Sequence, residues 1–513
     1  MTNCAPFLAL ALLLHAMASP PAAFQEALLQ PYAGYCAHPP VAQQDAIAGP
    51  LAGEVLSHTR LHLVGVQVVF RHGARDLSSD RACFATMEAV FRNCSVQQLV
   101  SFETGEKEHE ETAPLLRKML DAYPSMEENM PGSGYISQAV GCGKGVLLND
   151  AIPQTIALAH SIEQKYFRSL PSTPSLDTTR MYSTGKERTQ ATLFLLQKHL
   201  FKDESARARS FYSRPVSSDP WDLNQHCPRV GHMRHARHFQ TDPRIIELRF
   251  PSFARRWREA AGTEFQASFK DCLLVAQCSG QQALLLPEGL QPDSELFKEA
   301  LTISLELFQE HFSKDDTTVE QMQLLAAPAL LELDQVLQHQ ADETDSTAFA
   351  LWATHDTTIL VMLVALGLWD GQWPPYTDTL VLEVYKELRE QGSQGSGGAF
   401  VRLLHGSTVL RLPWCKVHGR IPGLCSVQSF LPPAIERFRD MNAYRRACNA
   451  SNLFSAAPAG PVEQSATCGF PSAGVLMFSA LSFVAGFQLK AWQRRSRPDS
   501  EADYVVLSPQ PAP

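Results

Sequence analysis

Apolar runs that end abruptly in polar segments mark two strand candidates far apart in the chain. Val66–Phe70 ends in the polar, glycine-containing segment Arg71–Arg75. Ala348–Ala353 ends in a histidine–aspartate pair, and an apolar stretch follows it. Such runs predict buried strands that lead into tight loops. Both polar segments therefore follow the carboxyl end of a predicted strand, where open α/β sheets bind their ligands.

Helices are indicated where apolar residues recur every three or four positions. One such helix has an apolar face made of Ile152, Ile156, Ala159, Ile162 and Tyr166. Thr184 and Glu187 fit a capping box, S/T-x-x-E, at the start of a helix of about four turns. Thr357 or Thr358 can act as the N-cap of a helix that begins at Ile359.

Strands that alternate with helices predict an α/β fold with a doubly wound, mostly parallel sheet. Residues 203–345 are charged and mostly helical in pattern, for example at Glu295–Phe312, and predict a helical cap inserted before the last core strand. Leu366–Tyr385 predicts a loop followed by an edge strand. We expect the whole folded domain to comprise residues 19–454.

The amino terminus has the pattern of a signal peptide, which we assign to residues 1–18. Phe7–Leu14 forms an apolar core, and Ala16–Ala18 offers the small-x-small pattern of a cleavage site. A buried amino-terminal helix is the alternative, which Ser19–Pro21 disfavours. The domain is therefore expected to be secreted or lumenal.

Cysteines and sequons agree with such a compartment, where disulfides form. The chain has twelve cysteines, and none is arranged as C-x-x-C. Cys415 and Cys425 flank a short loop and predict a local disulfide. Asn93 and Asn449 each begin an N-x-S sequon and are the expected glycosylation sites.

The carboxyl-terminal part has the pattern of a membrane anchor. Residues 455–469 predict a stalk, and residues 470–489 are apolar enough to span a bilayer as one helix. The tail 490–513 begins with basic residues, and positive charge next to a span stays cytosolic. We expect a single-pass type I membrane protein; a lipid-anchor signal is the rival interpretation, which the charged tail disfavours.

The tail ends in a candidate sorting signal. Tyr504 and Leu507 form a Y-x-x-apolar pattern of the kind that clathrin adaptors bind as an extended peptide. Short patterns also arise by chance, but the place of this one in a short cytosolic tail favours a functional signal.

Charge and histidine spacing limit the classes of partner. The formal net charge is −9, which argues against a nucleic-acid-binding protein. His232, His235 and His238 can line one side of a helix, but no carboxylate or cysteine partners are evident nearby. Surface histidines, with Arg234 and Arg237 facing a phosphorylated substrate, are favoured over a metal site, and no metal or other cofactor is expected.

The segment Arg71–Arg75 carries the residue types that phosphoryl transfer needs. Arg71 and Arg75 offer planar forks of N–H donors that suit phosphate oxygens. A neutral imidazole between them, His72, can attack a phosphorus whose charge they hold. A surface loop with two solvated arginines is the alternative interpretation, and the buried strand before the segment disfavours it.

These residues resemble the R-H-G-x-R signature of the histidine acid phosphatases. The resemblance implies a phosphohistidine mechanism with His72 as the nucleophile and Arg71 and Arg75 as phosphate ligands. It also implies that His355 hydrogen-bonds the transferring phosphoryl group and that Asp356 protonates the leaving alcohol. The expected substrate is a phosphomonoester of a small molecule, a lipid or a glycan. The layout of this chain, with its predicted signal peptide, single membrane span and tail signal, also resembles that of a lysosomal phosphatase of the family. This resemblance implies an endosomal or lysosomal address, and the cell surface is the alternative.

The chain departs from the resembled pattern at two places. Tyr182 stands where the R-S-T-x-x-x-R-T segment of the family begins with an arginine that we expect to bind phosphate. Lys186 or Arg180 are candidates for the missing charge, and Arg188 is either a site residue or part of a structural ion pair. Asp76 and Leu77 follow the R-H-G-x-R motif, where the family usually has x-Pro or a proline directly. These departures keep an alternative open, in which the protein is a weakened pseudophosphatase that acts as a membrane receptor or binding protein.

Overall fold

The computed structural model describes most of the amino-terminal 449 residues. The described ranges are 35–36, 49–51, 53, 61–77, 84, 145–202, 211–214, 219–223, 227–230, 243–278, 285–313, 316–343, 347–388, 398–415 and 421–449. Several predictions lie outside these residues and stay predictions: the signal peptide 1–18, the glycosylation site Asn93, the histidines 232, 235 and 238, and everything from the stalk to Tyr504 and Leu507. No helix among the described residues has the length and apolar character to cross a membrane.

Eight strands form one sheet. They are β1 (Leu61–Arg71), β2 (Thr179–Ser183), β3 (Tyr212–Ser213), β4 (Phe349–Thr354), β5 (Thr379–Glu387), β6 (Ala399–His405), β7 (Thr408–Leu410) and β8 (Leu424–Ser426). Their order is β3-β2-β4-β1-β5-β6-β7, and β8 pairs with β6. The two strands predicted from apolar runs, β1 and β4, are therefore neighbours in the middle of the sheet.

Ten α-helices of the described chain surround the sheet. They are α1 (Ala151–Ile162), α2 (Glu187–Leu200), α3 (Pro243–Arg249), α4 (Pro251–Ala261), α5 (Phe269–Cys278), α6 (Glu295–Ser313), α7 (Asp316–Asp342), α8 (Asp356–Ala365), α9 (Pro433–Glu436) and α10 (Met441–Cys448). A π-helical turn, Glu163–Phe167, continues α1. Short 3₁₀ turns lie at Glu288–Leu290, Val427–Ser429 and Arg437–Arg439.

The predicted α/β fold is confirmed, but the sheet is mixed rather than mostly parallel. β3, β2, β4 and β1 pair in parallel, whereas β5, β6, β7 and β8 pair antiparallel. After α8 a loop returns the chain to the carboxyl end of β1, where Thr379 pairs with Phe70. Strand β5 then has to run back along β1, which makes this half of the sheet antiparallel.

The prediction that Leu366–Tyr385 ends in an edge strand is wrong. Strand β5 lies between β1 and β6, and its first seven residues are buried. Its one acidic residue inside this buried part is Glu383, which accepts hydrogen bonds from Tyr166 and Tyr385 and pairs with Arg402 at 3.0 Å. A charged residue can occupy a central strand here because these partners satisfy its carboxylate.

Side chains from opposite faces of the sheet enter two apolar cores. Val68 and Phe70 pack with residues of α1 and α2. Val69, between them, packs with residues of α7 and α8 on the other face. Helices therefore cover both faces, and α8 is apolar on nearly all sides because it is enclosed.

The segment predicted as a cap, residues 203–345, is not all cap. It supplies strand β3 to the sheet, and its helix α7 lies on the sheet. Gln67 of β1 donates to the carbonyl of Leu333, and a Cβ added at Gly65 would lie 2.6 Å from the side chain of Gln340. The glycine thus allows the close approach of α7 to β1.

Three disulfides join parts of the described chain. Cys36 pairs with Cys278, Cys227 pairs with Cys448, and Cys415 pairs with Cys425. The predicted local disulfide between Cys415 and Cys425 is confirmed. The first of the three links the segment before β1 to the end of α5.

Candidate active site

The parallel pairing of β1 and β4 brings the two polar segments together. Arg71 is in register with Thr354, so His72 and His355 follow neighbouring strand ends. The His72 amide donates to the carbonyl of Thr354 at 3.1 Å, and the two imidazole rings lie 5.6 Å apart, edge to face. Residues 283 positions apart therefore line one place at the carboxyl edge of the sheet.

The ring of His72 is buried and its tautomer is set by one hydrogen bond. Nδ1 lies 2.8 Å from the carbonyl oxygen of Gly73, which can only accept, so Nδ1 carries the proton. Nε2 then keeps its lone pair. Burial, reinforced by the charges of Arg188 and Arg71, lowers the pKa of His72 well below its usual value. The imidazole is therefore neutral and nucleophilic at Nε2.

Gly73 allows the loop after β1 to approach helix α1 closely. A Cβ at this position would lie 2.6 Å from the Cβ of Ala151 at the start of α1. The Gly73 amide donates to Thr192 and the Ala74 amide donates to Gln154, which fixes the loop on α1 and α2.

The guanidinium of Arg71 is fully buried beside the predicted acid. Nη1 donates to the carbonyl of Pro374 and Nη2 to the hydroxyl of Tyr35, each at 2.7 Å. Nη2 also lies 3.0 Å from Oδ2 of Asp356. The ring of Tyr376 packs on the guanidinium at 4.2 Å, which adds a cation–π contact.

Arg75 is held at its end edge by a carboxylate from α5. Nη1 and Nη2 donate to the two oxygens of Asp271 at 3.2 and 2.8 Å, and Nη1 also donates to the carbonyl of Asp76. The carboxylate of Asp271 raises the pKa of Arg75 against the effect of its burial. Asp76 itself accepts from the amide of Leu77, and burial raises its pKa to about 7.

The third arginine of the site is Arg188, which the sequence analysis left between two roles. Its Nη2 lies 3.4 Å from Nδ1 of His355. Burial, followed by the charge of Arg75, lowers the pKa of Arg188 to about 10, so the side chain still carries its charge at neutral and acid pH. Arg188 therefore joins the two histidines and the two arginines of the signature.

Tyr182, which stands where the resembled family has an arginine, is buried among aromatic side chains. The Tyr182 hydroxyl donates to Asp219, and its ring packs against Trp221 and Trp352. Of the two candidates for the missing charge, Arg180 pairs with Glu332 and Lys186 pairs with Asp222. A phosphate-binding role for either residue stays a prediction.

The hydrogen bonds of His355 with Arg188 and with a chain of hydroxyl groups indicate its tautomer. An arginine only donates, so Nδ1 of His355 accepts from Arg188 and Nε2 carries the proton. Nε2 lies 3.0 Å from Oγ1 of Thr184, which lies 2.8 Å from Oγ1 of Thr189. Thr189 in turn donates to the carbonyl of Lys186 at 2.6 Å. The predicted contact of His355 with a phosphoryl group stays a prediction; the contacts shown are with Arg188 and Thr184.

The predicted capping box is wrong, because the Thr184 hydroxyl contacts His355 rather than the start of helix α2. Helix α2 begins at Glu187 with Lys186 as its N-cap, and no side chain caps it. Thr184 uses its hydroxyl for the site instead. The four-turn length of the helix was predicted correctly, since α2 has 14 residues.

Asp356 occupies the first position of α8 rather than the loop before it. The predicted N-caps Thr357 and Thr358 are wrong, because His355 is the N-cap and Thr358 donates to the carbonyl of Trp221. The Thr357 amide donates to Oδ1 of Asp356, and the indole of Trp373 donates to Oδ2 at 2.9 Å.

The carboxylate of Asp356 is charged in this arrangement. Burial opposes ionisation, but the guanidinium groups of Arg71 and Arg75, with a smaller contribution from Lys270, outweigh it and hold the pKa of Asp356 well below its usual value. Lys270 lies over the ring of Trp373, and burial lowers the pKa of Lys270 well below its usual value. A dianionic ligand at the arginines would act in the opposite direction and raise the pKa of Asp356.

One property is shared by the three arginines. The Nε atoms of Arg71, Arg75 and Arg188 are buried and have no hydrogen-bond acceptor within the part of the chain that the structure describes. Buried N–H donors are normally paired. Three such donors around one neutral histidine fit an anion with several acceptor oxygens.

Of the two predicted glycosylation sites, the described residues include only Asn449. Asn449 directly follows α10 and is exposed, as a glycan acceptor has to be. Among the described residues, no group of three or more His, Cys, Asp or Glu side chains is arranged to hold a metal ion.

Known proteins with related sequences all match over part of their length. The chain is 30% identical over 138 residues to mouse lysophosphatidic acid phosphatase type 6, which is 26% of this chain and 30% of that protein. It is 31% identical over 147 residues to mouse testicular acid phosphatase, which is 28% of this chain and 32% of that protein. Both of these relatives are named as phosphatases. The predicted resemblance to the histidine acid phosphatases is thereby confirmed, although the chain matches only about a third of the length of these relatives, and no family model matches it.

Solved structures of similar proteins cover more of the chain at lower identity. The multiple inositol polyphosphate phosphatase of Bifidobacterium longum is 12% identical and covers 75% of this chain and 95% of its own, with a TM-score of 0.45. The phytase of D. castellii is 14% identical and covers 85% of this chain and 88% of its own, with a TM-score of 0.44.

Proposed function

We propose that this protein is an acid phosphatase that hydrolyses phosphomonoesters through a phosphohistidine on His72. The observation that carries the proposal is the burial of three arginines near His72, each with an Nε donor that has no acceptor among the described residues, beside an imidazole that is protonated at Nδ1 and not at Nε2. The acid phosphatase names of the related sequences support the same reaction class.

In the first step, Nε2 of His72 attacks the phosphorus in line with the ester oxygen. The N–P bond forms as the P–O bond to the alcohol breaks, and the charge on the non-bridging oxygens is held by Arg71, Arg75 and Arg188. The proton stays on Nδ1, hydrogen-bonded to the carbonyl of Gly73, and this hydrogen bond stabilises the positive charge of the phosphoimidazole ring.

Asp356 supplies a proton to the leaving alkoxide. In the second step water attacks the phosphorus: a P–O bond forms as the N–P bond breaks, Asp356 takes a proton from the water, orthophosphate leaves and Nε2 of His72 regains its lone pair. Binding of the substrate prepares Asp356 for its role as an acid, because the phosphoryl dianion adds negative charge next to the carboxylate and competes for Arg71, and both effects raise the pKa of Asp356. Acid solution then favours the protonated form, so an acid optimum is expected.

His355 contributes by orienting Arg188. Its Nδ1 accepts from the Arg188 guanidinium, so the arginine is directed towards the pocket even before a ligand is bound. In this proposal, Arg188 takes the place that the sequence analysis gave to the arginine missing at Tyr182.

The wider setting of the enzyme is proposed from sequence. The substrate is a phosphomonoester of a small molecule, lipid or glycan; one relative is named for lysophosphatidic acid, which illustrates the lipid class. We place the catalytic domain in the lumen of an endosome or lysosome, anchored by residues 470–489. An adaptor bound at Tyr504 would direct the protein there.

Replacing the nucleophile tests the proposal. His72→Ala in the full-length protein should lower kcat/KM for an aryl phosphate at pH 5 by at least about 10³-fold, since the covalent route is lost. Brief incubation of wild type with ³²P-labelled substrate, followed by alkaline quench, should leave acid-labile label on His72. His160→Ala, an exposed histidine of α1, is the matched control. Full activity of His72→Ala would contradict the proposal.

A phosphate-binding protein without turnover is the second candidate. It is favoured by the charged state of Asp356, which an ion pair and an indole N–H stabilise in the ligand-free site. The same assay separates the two functions. Tight binding of orthophosphate by wild type, with no release from an aryl phosphate between pH 4 and 8, would favour the binding protein.

A further inference from the structure

The five N–H donors of Arg75 divide into two groups. Nη1 uses both of its donors, one on the carbonyl of Asp76 and one on Asp271, and Nη2 uses one donor on Asp271. Within the part of the chain that the structure describes, the two donors that remain are the Nε–H and the second Nη2–H. They lie on the same side edge of the planar guanidinium, which is the fork that matches two oxygens of a phosphoryl group.

Asp271 comes from a different part of the chain than the motif it serves. It lies in the first turn of α5 (Phe269–Cys278), 196 residues after Arg75. Its carboxylate occupies the end edge of the guanidinium in bidentate geometry, and its side chain is 21% exposed, whereas that of Arg75 is 8% exposed. A bidentate pair fixes the plane of an arginine as well as its charge.

Helix α5 is itself fixed relative to the other signature arginine. The disulfide between Cys278, at its end, and Cys36 holds the helix next to Tyr35, whose hydroxyl accepts from Arg71. The disulfide therefore joins the two segments that carry the partners of the signature arginines: Tyr35 for Arg71 and Asp271 for Arg75. The buried residues Leu273 and Leu274 pack the helix into the larger core.

We propose that Asp271 is a positioning residue for phosphoryl transfer, which holds Arg75 by its end edge so that the Nε–Nη2 edge receives the phosphoryl oxygens. This inference rests on the proposed function, since it gives Arg75 its phosphate-binding role. Asp271 touches neither the substrate nor the reacting atoms; it acts only through Arg75. Its charge also offsets the repulsion between Arg75 and Arg188, which an anion would otherwise have to compensate alone.

Phosphate affinity and turnover should both respond to Asp271. In Asp271→Asn, which keeps the shape but loses the charge and one acceptor, the inhibition constant of orthophosphate should rise about 10-fold and kcat/KM for an aryl phosphate should fall 10- to 100-fold. Asp271→Glu should recover part of both. Glu247→Gln is the matched control, because it makes the same change in an exposed arginine-bound carboxylate of α3.

A double-mutant cycle shows whether the effect passes through Arg75. In an Arg75→Gln background, Asp271→Asn should change orthophosphate affinity by less than about twofold, because the partner it positions is gone. Calorimetric titration with orthophosphate gives this result without catalysis, so it holds even if wild type hydrolyses nothing and the proposed enzymatic function fails.

Two results would overturn the role of Asp271. Tighter orthophosphate binding by Asp271→Asn would mean that the carboxylate competes with the ligand for Arg75. Equal effects in the wild-type and Arg75→Gln backgrounds would mean that Asp271 only supports the fold. If Asp271→Asn does not fold, Asp271→Glu decides, since a displaced carboxylate should still weaken orthophosphate binding severalfold.

Discussion

The two histidines at the strand ends carry their protons on opposite ring nitrogens. His72 is protonated at Nδ1, because a carbonyl accepts from it, and His355 at Nε2, because Arg188 donates to its Nδ1. One ring is thereby prepared to attack and the other to orient a cation. The difference follows from one backbone oxygen at His72 and from Arg188 together with one hydroxyl chain at His355, and each can be altered separately.

Thr184→Val tests the hydroxyl chain at the scale of one atom. Loss of the Oγ1 acceptor should free the Nε2 proton of His355 and weaken the orientation of Arg188, so kcat/KM should fall about 5- to 10-fold, in line with one lost hydrogen bond. ¹⁵N NMR of the His355 ring should show a mixed tautomer. Thr302→Val, which removes a hydroxyl-to-backbone hydrogen bond in α6, is the control. An unchanged NMR spectrum would contradict the assignment.

Sequence reasoning found the signature residues but not all of their partners. Arg71, His72 and Arg75 could be placed because a buried strand and a glycine turn determine their position locally. Arg188 was left open between a site residue and a structural ion pair, because its partner His355 lies 167 residues further along the chain. Asp271 has no local signal at all, since its partner is set by tertiary packing.

The segment between α8 and β5 is the element that closes the site. Its residues contact both sides of the arginine–aspartate pair: the Trp373 indole reaches Asp356, and the Pro374 carbonyl accepts from Arg71. Thr377 then takes a φ of +57°, which is rare for a β-branched residue, and its amide donates to the carbonyl of His72. Backbone strain at this residue accompanies the sharp return of the chain into β5.

Thr377→Gly should relieve that strain. Glycine adopts the left-handed region freely, and the relief should exceed the added entropy of the unfolded chain, so the free energy of unfolding should rise by about 1 kcal/mol. Urea unfolding of wild type and variant measures the change. Thr377→Ala keeps the Cβ and removes the hydroxyl, so it should bring no gain. A less stable glycine variant would show that the side chain stabilises the turn.

Element type was easier to predict from the sequence than element neighbours. The buried strand β4 and the long helix α6 were found from apolar periodicity alone. The segment of β5 was predicted as an edge strand, but β5 lies between β1 and β6. Only the fold supplies Tyr166, Tyr385 and Arg402, which make a buried Glu383 acceptable.

At the scale of the whole molecule, the buried carboxyl group of Glu383 favours acid solution. Burial raises the pKa of Glu383 from its usual value near 4.5 to about 7, despite the opposing charge of Arg402. The folded state therefore binds this proton more tightly than the unfolded state. The stability that this proton contributes is fully present below pH 4.5 and is lost as the pH rises towards and through 7. This direction agrees with the proposed endosomal or lysosomal address.

Glu383→Gln should remove this part of the pH dependence. Between pH 4.5 and 7.5, wild type should lose up to about 3 kcal/mol more unfolding free energy than the variant. Denaturant unfolding across this range measures the difference. Glu387→Gln, the same change at a half-buried position of the same strand, is the control. Parallel pH profiles for wild type and Glu383→Gln would contradict the prediction.

The central place of β1 has a consequence for biosynthesis. The strand leaves the ribosome early, yet both of its sheet neighbours, β4 and β5, begin only at Phe349 and Thr379. At roughly 5 to 20 residues per second, translation of the intervening chain takes on the order of 15 to 60 s. Throughout that interval, one of the most apolar segments of the nascent polypeptide has no strand to pair with, so its protection from aggregation falls to the cell's chaperones rather than to the fold.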